Sequence, residues 1–163
     1  MDARKFVATK KQIVEPGKWG QGGNRGMPKT AFPLSKTRSF QLGKCWSWRV
    51  DRIAAGGIQG RILTAFEPSK EKFLAWLSIE RQEGTAIVAR YEFHGDEPGW
   101  HCHSLCAPID RIPVALVKPY GTMRIPAARH HHRRLTFGMT EMSALALSFR
   151  VFRVTGKSEG GLV

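Results

Sequence analysis

A series of short segments in which apolar and polar residues alternate constrains the fold of this chain more than any other feature. At positions 45–53, for example, Trp46, Trp48 and Val50 alternate with polar side chains. This period of two predicts β-strands, because successive side chains of a strand point to opposite faces. Similar segments predict five strands, at 45–53, 58–66, 73–80, 85–94 and 100–105. Turn residues separate them at short intervals, which favours sequential antiparallel pairing in a meander.

The flanking segments differ from this pattern. Residues 1–44 carry ten Lys or Arg and two acids, and 16–28 is rich in Gly and Pro, which predicts an extended basic arm. Thr140 is typical of a helix start, and the apolar spacing that follows favours a helix, although alternation over 145–151 leaves a strand open. A short strand is also expected at 114–117. The predicted fold is a single β-rich α+β domain at 45–163, with a mainly antiparallel sheet of five to six strands, a C-terminal helix packed on one face, and the arm at 1–44.

The chain is strongly basic, with 26 Lys and Arg against 13 Asp and Glu and a formal net charge of +13. This charge attracts polyanions, and nucleic acid, either RNA or DNA, is the partner that it favours. A membrane is not expected as a partner, because no basic amphipathic helix is evident and no apolar run approaches the roughly 20 residues that span a bilayer. Three cysteines cannot all pair in disulfides, which is typical of a reducing compartment, so a cytoplasmic location is expected.

Two basic regions are the expected contacts with nucleic acid. Cations on a flexible chain can follow a phosphate backbone, and an aromatic residue among them can stack on a base. The expected contact residues are Lys10, Lys11, Lys18, Trp19 and Arg25 in the arm, and Arg124, Arg129, Arg133 and Arg134 in the second region. The alternative is a solvated arm without a specific partner.

The last two predicted strands concentrate the histidines. If His94 pairs with His101 and Glu92 pairs with His103, the four side chains share one face, because directly opposed residues of an antiparallel pair point the same way. A shift by one residue would instead place two imidazoles among apolar side chains, which is unfavourable. The sequence therefore predicts one polar surface that contains these four residues, with Arg90 beside them.

This polar surface is open to three interpretations. Three imidazoles and a carboxylate can bind a divalent metal such as Zn, Mn, Fe or Ni. A metal-free alternative is general acid–base cleavage of RNA, in which Glu92 tunes His103 and Arg90 meets the phosphate. His94 and His101 would then exchange protons. The third interpretation is a solvated sheet face on which the histidines do no chemistry.

The cysteines suggest a different site. Cys45, Cys102 and Cys106, together with one of the histidines, could bind a structural zinc. A single Cys-x3-Cys pair is a weak signal for zinc, and alternation points the Cys102 side chain away from the two histidines that flank it.

The spacing of Gly95, five further residues and His101-x-His103 resembles the first half of the metal-binding motif of the cupins. The resemblance covers about a dozen residues of the chain and implies a β-barrel and a metal-dependent enzyme with a small-molecule substrate. The acid that the cupin pattern expects a few residues later falls at Ala107 or Pro108, where this chain departs from the pattern.

Charge and histidine content together favour a basic nucleic-acid-binding protein, with phosphodiester cleavage at the histidine face as its enzymatic form. One alternative is a non-catalytic nucleic-acid-binding module. The other is a cupin-like metal-dependent enzyme that acts on a small molecule. Stoichiometric metal in the purified protein would favour a metallonuclease or the cupin-like enzyme over the metal-free forms.

Overall fold

The strands predicted from alternation all lie in one large sheet. The computed structural model describes residues 1–21, 26–94, 99–118, 121–125 and 138–156. Its helices and strands, in chain order, are α1 (Ala3–Ala8), β1 (Lys11–Glu15), β2 (Gly20–Gln21), β3 (Ser47–Ala55), β4 (Ile58–Glu67), β5 (Lys72–Arg81), β6 (Gly84–His94), β7 (His101–Leu105), β8 (Thr122–Ile125), α2 (Glu141–Phe152) and β9 (Val154–Thr155). The protein is therefore a sheet-rich α+β structure, as predicted.

The sheet is an antiparallel meander from β3 to β8 that continues beyond β3 at its other edge. Its strand order is β8-β7-β6-β5-β4-β3-β1-β9, with β2 also paired to β3, and the β1–β9 pair is parallel. This mixed sheet has nine strands rather than the predicted five to six, because β1, β2, β8 and β9 are too short to show a clear period in the sequence. The described sheet has β8 at one edge and β9 at the other, and these two edge strands do not pair with each other. The described strands therefore do not form the barrel that the cupin resemblance implies.

The predicted strand at 114–117 is wrong. These residues form turns and irregular backbone. Ala115 has a φ of 64°, a left-handed conformation that no β-strand contains. The preceding Pro113 has no N–H for a strand ladder, which also disfavours a strand at this point.

The N-terminal segment packs on the sheet and is not the predicted extended arm. Helix α1 buries Phe6 against one face, and β1 lies inside the sheet between β3 and β9. After residue 26, the side chains of Met27, Phe32 and Leu34 are buried against the opposite face. These apolar residues are irregularly spaced among Gly, Pro and Lys, so no local period indicates that they belong to the core.

The central strands are covered on both faces. Helices α1 and α2 pack on one face, where the core includes Phe73 and Phe93. Residues 26–46 cover the other face, where Leu63 and Trp76 are buried. Trp76 on β5 lies opposite Arg90 on β6, so the polar surface of β6 and β7 begins where this second apolar layer ends.

Helix α2 confirms the predicted C-terminal helix and excludes the alternative strand. The Thr140 hydroxyl accepts a hydrogen bond from the Ser143 backbone N–H, and the Ser143 hydroxyl accepts one from the Thr140 backbone N–H. This capping box satisfies two donors at the start of the helix. The helix ends before Arg153, which has a φ of 54°. Neither helix described in the structure has the length and apolar content that a bilayer crossing requires.

Candidate metal centre

Strands β6 and β7 pair in a register that is two residues away from the predicted one. Glu92 lies opposite His101, and Arg90 lies opposite His103. The prediction that His94 pairs with His101 is therefore wrong. Because side chains alternate with a period of two, a shift of two residues keeps every side chain on its original face. The predicted residues still share one surface, although with different partners.

Three imidazole nitrogens converge on one oxygen of Glu92. The Nε2 atoms of His94, His101 and His103 lie 3.7, 3.8 and 4.0 Å from Glu92 Oε2. Ligand atoms of Glu92, His94 and His101 all lie within 4.8 Å of one another. Metal–ligand bonds of about 2.0–2.2 Å place the ligand atoms of one zinc ion roughly 3–4 Å apart. The 3.7–4.0 Å separations from Glu92 Oε2 are close to this spacing, whereas the 4.8 Å limit for the whole group exceeds it, so the side chains would have to move slightly towards one another to bind one ion.

The other oxygen of Glu92 is held by two neighbouring side chains. Trp76 Nε1 donates a hydrogen bond to Glu92 Oε1 at 2.8 Å, and an Arg90 guanidinium N–H donates to the same oxygen at 3.2 Å. The Arg90 guanidinium lies 5.9 Å from the centre of the Trp76 ring, and Phe40 packs on that ring at a centroid distance of 4.2 Å. These contacts orient the carboxylate so that Oε2 faces the histidines.

His101 is the most buried of the three histidines and has a defined hydrogen bond. Its side chain is 1% exposed, against 29% for His94 and 21% for His103. Its Nδ1 lies 3.0 Å from the carbonyl oxygen of Gly99, so Nδ1 carries the proton and donates it to this carbonyl. Nε2, which lies 3.8 Å from Glu92 Oε2, is then the unprotonated nitrogen, as it is in histidines that bind metals.

Glu92 is ionised across the physiological pH range. Burial by itself raises its pKa, but the hydrogen bond from His94, the charge of Arg90 and the hydrogen bond from Trp76 together lower the pKa to about 2. The carboxylate is therefore an anion at neutral pH, the form that can bind a metal.

Burial keeps two of the histidines neutral. It lowers the pKa of His101 and, together with the charge of Arg90, lowers the pKa of His103 to about 4. Neutral imidazole is the form that binds a metal. The same shift disfavours the metal-free acid–base interpretation, because a pKa of about 4 is far below the near-neutral value that this interpretation requires of His103, the histidine that Glu92 would tune.

The hydrogen bond from Trp76 predicts an effect on metal affinity. Trp76→Phe keeps an aromatic ring on β5 but removes the N–H that orients Glu92, and we expect the Kd for Zn²⁺ to rise about tenfold or more. The matched control is Trp48→Phe, because the buried Trp48 N–H has no hydrogen-bond partner among the described residues. Calorimetric titration with Zn²⁺ measures both variants. Equal Kd values for the two variants would contradict an orienting role for Trp76.

The cysteines do not form the alternative zinc site. Cys102 lies opposite Tyr91, on the face away from the histidines. Cys45 and Cys106 are exposed. Within the described ranges, the cluster that could hold a metal contains one carboxylate and histidines but no cysteine.

Cys102 is expected to be the slowest thiol to react. Burial, followed by the negative charge of Glu92, raises the pKa of this thiol to about 11. The thiolate is the reactive form, and at pH 8 only about one Cys102 thiol in a thousand is ionised. A coloured disulfide reagent at pH 8 should therefore show two fast thiols, Cys45 and Cys106, and one slow thiol whose rate rises towards pH 11. Three equal rates would contradict the half-buried position of Cys102.

Lys11 was predicted to contact nucleic acid, and this prediction is wrong because its side chain is fully buried. Its ammonium group donates to the backbone carbonyl oxygens of Val7, Thr9 and Phe152 at 2.9, 2.8 and 2.8 Å. Burial and the nearby charge of Arg153 lower its pKa to about 8, so it remains protonated at neutral pH. Lys11 joins the C-terminal ends of α1 and α2, where carbonyl groups lack partners within their own helix.

The other predicted nucleic-acid contacts differ in how the structure places them. Trp19 is half-buried and packs edge to face on Phe66 at a centroid distance of 5.8 Å, so its ring belongs to the core and the predicted stacking on a base is not supported. Lys10 and Lys18 are exposed and stay predicted contacts. Four predicted contacts lie outside the described residues: Arg25, Arg129, Arg133 and Arg134.

The sequence did not indicate two neighbours of the histidines. Trp76 was a member of a strand with no assigned role, and the only available signal was that a buried indole N–H usually needs an acceptor. Arg124 was assigned to a separate basic region. It lies opposite His103 because β8 pairs with β7, although residues 106–121 separate these two strands in the chain.

Comparison with protein-family models, with curated proteins and with solved structures finds no match for this chain. Its function must therefore be inferred from the chemistry of its own side chains.

Proposed function

We propose that this protein is a metal-dependent enzyme that holds a divalent transition metal with Glu92, His94 and His101, and with His103 as a fourth ligand. The convergence of the three Nε2 atoms on Glu92 Oε2, at 3.7–4.0 Å, carries this proposal. Because Gly99 fixes the proton on His101 Nδ1, its Nε2, 3.8 Å from Glu92 Oε2, is the nitrogen that can bind a metal. Imidazole nitrogen and carboxylate oxygen are ligands that divalent transition metals accept.

The ligand types and their exposure support a catalytic site. Imidazole and carboxylate ligands suit Zn, Mn, Fe and Ni. Structural metal sites are closed, whereas catalytic sites keep an open position. His94 and His103 are 29% and 21% exposed, so solvent reaches one side of the cluster. A divalent metal in this position would polarise an oxygen of the substrate and lower the pKa of a bound water.

Nucleic acid is the substrate that the charge of the protein favours. The net charge of +13 attracts polyanions, and two arginines, Arg90 and Arg124, flank His103 in the sheet. The proposed reaction is hydrolysis of a phosphodiester. The oxygen of a water molecule adds to phosphorus, the bond to one ester oxygen breaks, and the leaving oxygen takes up a proton.

Metal content is the first test of the proposal. Protein that has been stripped with a chelator and reloaded with Zn, Mn, Fe or Ni is expected to bind one divalent ion per chain, measured by elemental analysis and calorimetry. Protein that takes up none of these four metals would overturn the proposal.

Nuclease activity is tested separately on the reloaded protein. We expect degradation of RNA or DNA that stops when chelator is added. The double variant His101→Ala with His103→Ala should lose degradation but keep nucleic-acid binding, because the basic surface is unchanged. If the metal-loaded parent degrades neither RNA nor DNA, the proposed nucleic-acid hydrolysis is wrong. The proposed metal centre is not affected by that result.

A further inference from the structure

We infer that Lys72 binds a phosphoryl group of the substrate beside the metal centre, an inference that rests on the proposed function. Lys72 on β5 lies directly opposite His94 on β6. Directly opposed residues of an antiparallel pair point to the same face, with Cβ atoms about 5 Å apart. His94 is one of the three residues whose ligand atoms lie within 4.8 Å of one another. The Lys72 side chain therefore borders the proposed metal centre.

Two contacts along β5 confirm which face of the sheet carries Lys72. Trp76 of the same strand donates its hydrogen bond to Glu92 at 2.8 Å. Leu74 lies opposite Glu92 in the register of β5 and β6. Because the side chains of a strand alternate, Lys72, Leu74 and Trp76 point to one face. This is the face that carries Glu92 and His94.

The Lys72 ammonium group forms no hydrogen bond or ion pair with any of the described residues. The acids next to it in the sheet are paired with other cations. Glu67, opposite Lys72 on β4, lies 3.3 Å from the Lys70 ammonium. Glu92 lies 3.2 Å from the Arg90 guanidinium. The positive charge of Lys72 is therefore available to an anionic ligand.

Lys72 lies at an end of the cluster that solvent reaches. It is half-buried, and the side chain of His94 is 29% exposed, against 1% for His101. A lysine side chain lays its apolar stem along a surface and keeps its ammonium group in water. A ligand that reaches the metal from this end therefore also meets the ammonium group of Lys72.

A phosphoryl group fits the charges at this end of the cluster. Lysine is a common phosphate ligand and acts as a point charge. The carboxylate of Glu92 is offset by Arg90, so a divalent metal and Lys72 would leave a local excess of positive charge. A phosphoryl dianion offsets more of this excess than a carboxylate monoanion does, and a neutral group offsets none. Because it has several oxygens, the phosphoryl group can contact the metal with one and Lys72 with another.

Titration of the zinc-loaded protein with inorganic phosphate, followed by calorimetry, tests this inference. We expect Lys72→Gln to weaken phosphate binding about tenfold or more, the usual result of losing a hydrogen bond to a charged group. Lys72→Arg keeps the positive charge, so its phosphate affinity should stay closer to that of the parent. The matched control is Lys5→Gln, which removes an exposed lysine of α1 on the opposite face of the sheet and should bind phosphate as the parent does. Zinc affinity should not fall in any of these variants, because neither lysine is a metal ligand.

Acetate is the control for the class of anion. This carboxylate monoanion should bind the zinc-loaded parent more weakly than phosphate does, and Lys72→Gln should reduce its affinity less. Acetate binding as tight as phosphate binding would overturn the assignment of a phosphoryl group.

The possible results separate this inference from the proposed function. If zinc binds but Lys72→Gln takes up phosphate as well as the parent does, the role of Lys72 is overturned and the metal centre stands. If the parent binds no metal, the proposed function fails, and phosphate titration of the metal-free protein still measures the role of Lys72. Equal phosphate affinities of parent and variant in that experiment, or no binding by the parent, would overturn the inference as well.

Competition identifies the source of the phosphoryl group. A short single-stranded RNA and a small phosphate monoester are each added to the phosphate-bound protein. Displacement of phosphate by the RNA supports a nucleic-acid substrate, and displacement by the monoester alone supports a small phosphate ester. If neither compound displaces phosphate, Lys72 has no role in substrate binding and the inference is wrong.

Discussion

Replacement of His101 by alanine is expected to raise the Kd for Zn²⁺ by about 100-fold or more. The His101 side chain is 1% exposed, and its Nε2 faces Glu92 Oε2 at 3.8 Å. Loss of a residue that only orients a metal ligand typically costs about 10–100-fold in affinity, and loss of a buried ligand on a paired strand should cost at least the upper part of that range. Calorimetric titration after chelator treatment measures the change.

Cys102→Ala is the matched control for this variant. Cys102 is adjacent to His101 in the chain, but its side chain lies on the opposite face, across from Tyr91. We expect Cys102→Ala to bind zinc as the parent does. His103→Ala should have a smaller effect than His101→Ala, because His103 is not among the three residues whose ligand atoms lie within 4.8 Å of one another. Parent-like zinc affinity in a folded His101→Ala variant would show that the metal lies elsewhere.

Replacement of Lys11 by methionine is expected to lower the free energy of unfolding by about 3 kcal/mol. The substitution keeps a long apolar side chain but leaves three carbonyl oxygens, those of Val7, Thr9 and Phe152, without their shared donor. Each unpaired buried polar group costs about 1–3 kcal/mol, and removal of the buried charge offsets part of the sum. Urea unfolding at pH 7, where Lys11 is protonated, measures the difference.

Lys10→Met is the matched control for Lys11. Lys10 is the neighbouring lysine and is exposed, so its loss should change the free energy of unfolding by no more than about 0.5 kcal/mol. The order should reverse for RNA affinity, where Lys10→Met is expected to weaken binding and Lys11→Met is not. Equal stabilities of the two variants would contradict the buried position of Lys11.

The central part of the fold could be predicted because each of its strands carries its own signal. Residues 85–94 alternate over their whole length, and the structure contains β6 at Gly84–His94. Helix α2 was predicted in the same way, from Thr140 and the spacing of the apolar residues that follow. These signals are local, and they depend on the geometry of one strand or helix alone.

The N-terminal segment could not be predicted in this way. Its composition is typical of a linker, yet Met27 and Phe32 are fully buried and cover the second face of the sheet. Their burial depends on a surface supplied by Leu63 and Trp76, which come much later in the chain. A segment that packs through a few irregularly spaced apolar residues has no period of its own.

The sequence by itself determined which of the candidate metal ligands share a face. Alternation is a local property of a strand, so Glu92 and His94 lie on one side of β6, and His101 and His103 on one side of β7, in any register. The two pairs share a face in every register that differs from the predicted one by an even number of residues. Only the tertiary structure decided the register, in which Glu92 lies opposite His101.

Only the tertiary structure also decided which other residues join the candidate metal centre and which do not. Trp76 orients Glu92, Arg124 lies beside His103, and Lys11 is buried away from any polyanion. Each of these results depends on contacts between residues that are distant in the chain. Such contacts follow from strand order and packing, which no local pattern of residue types specifies.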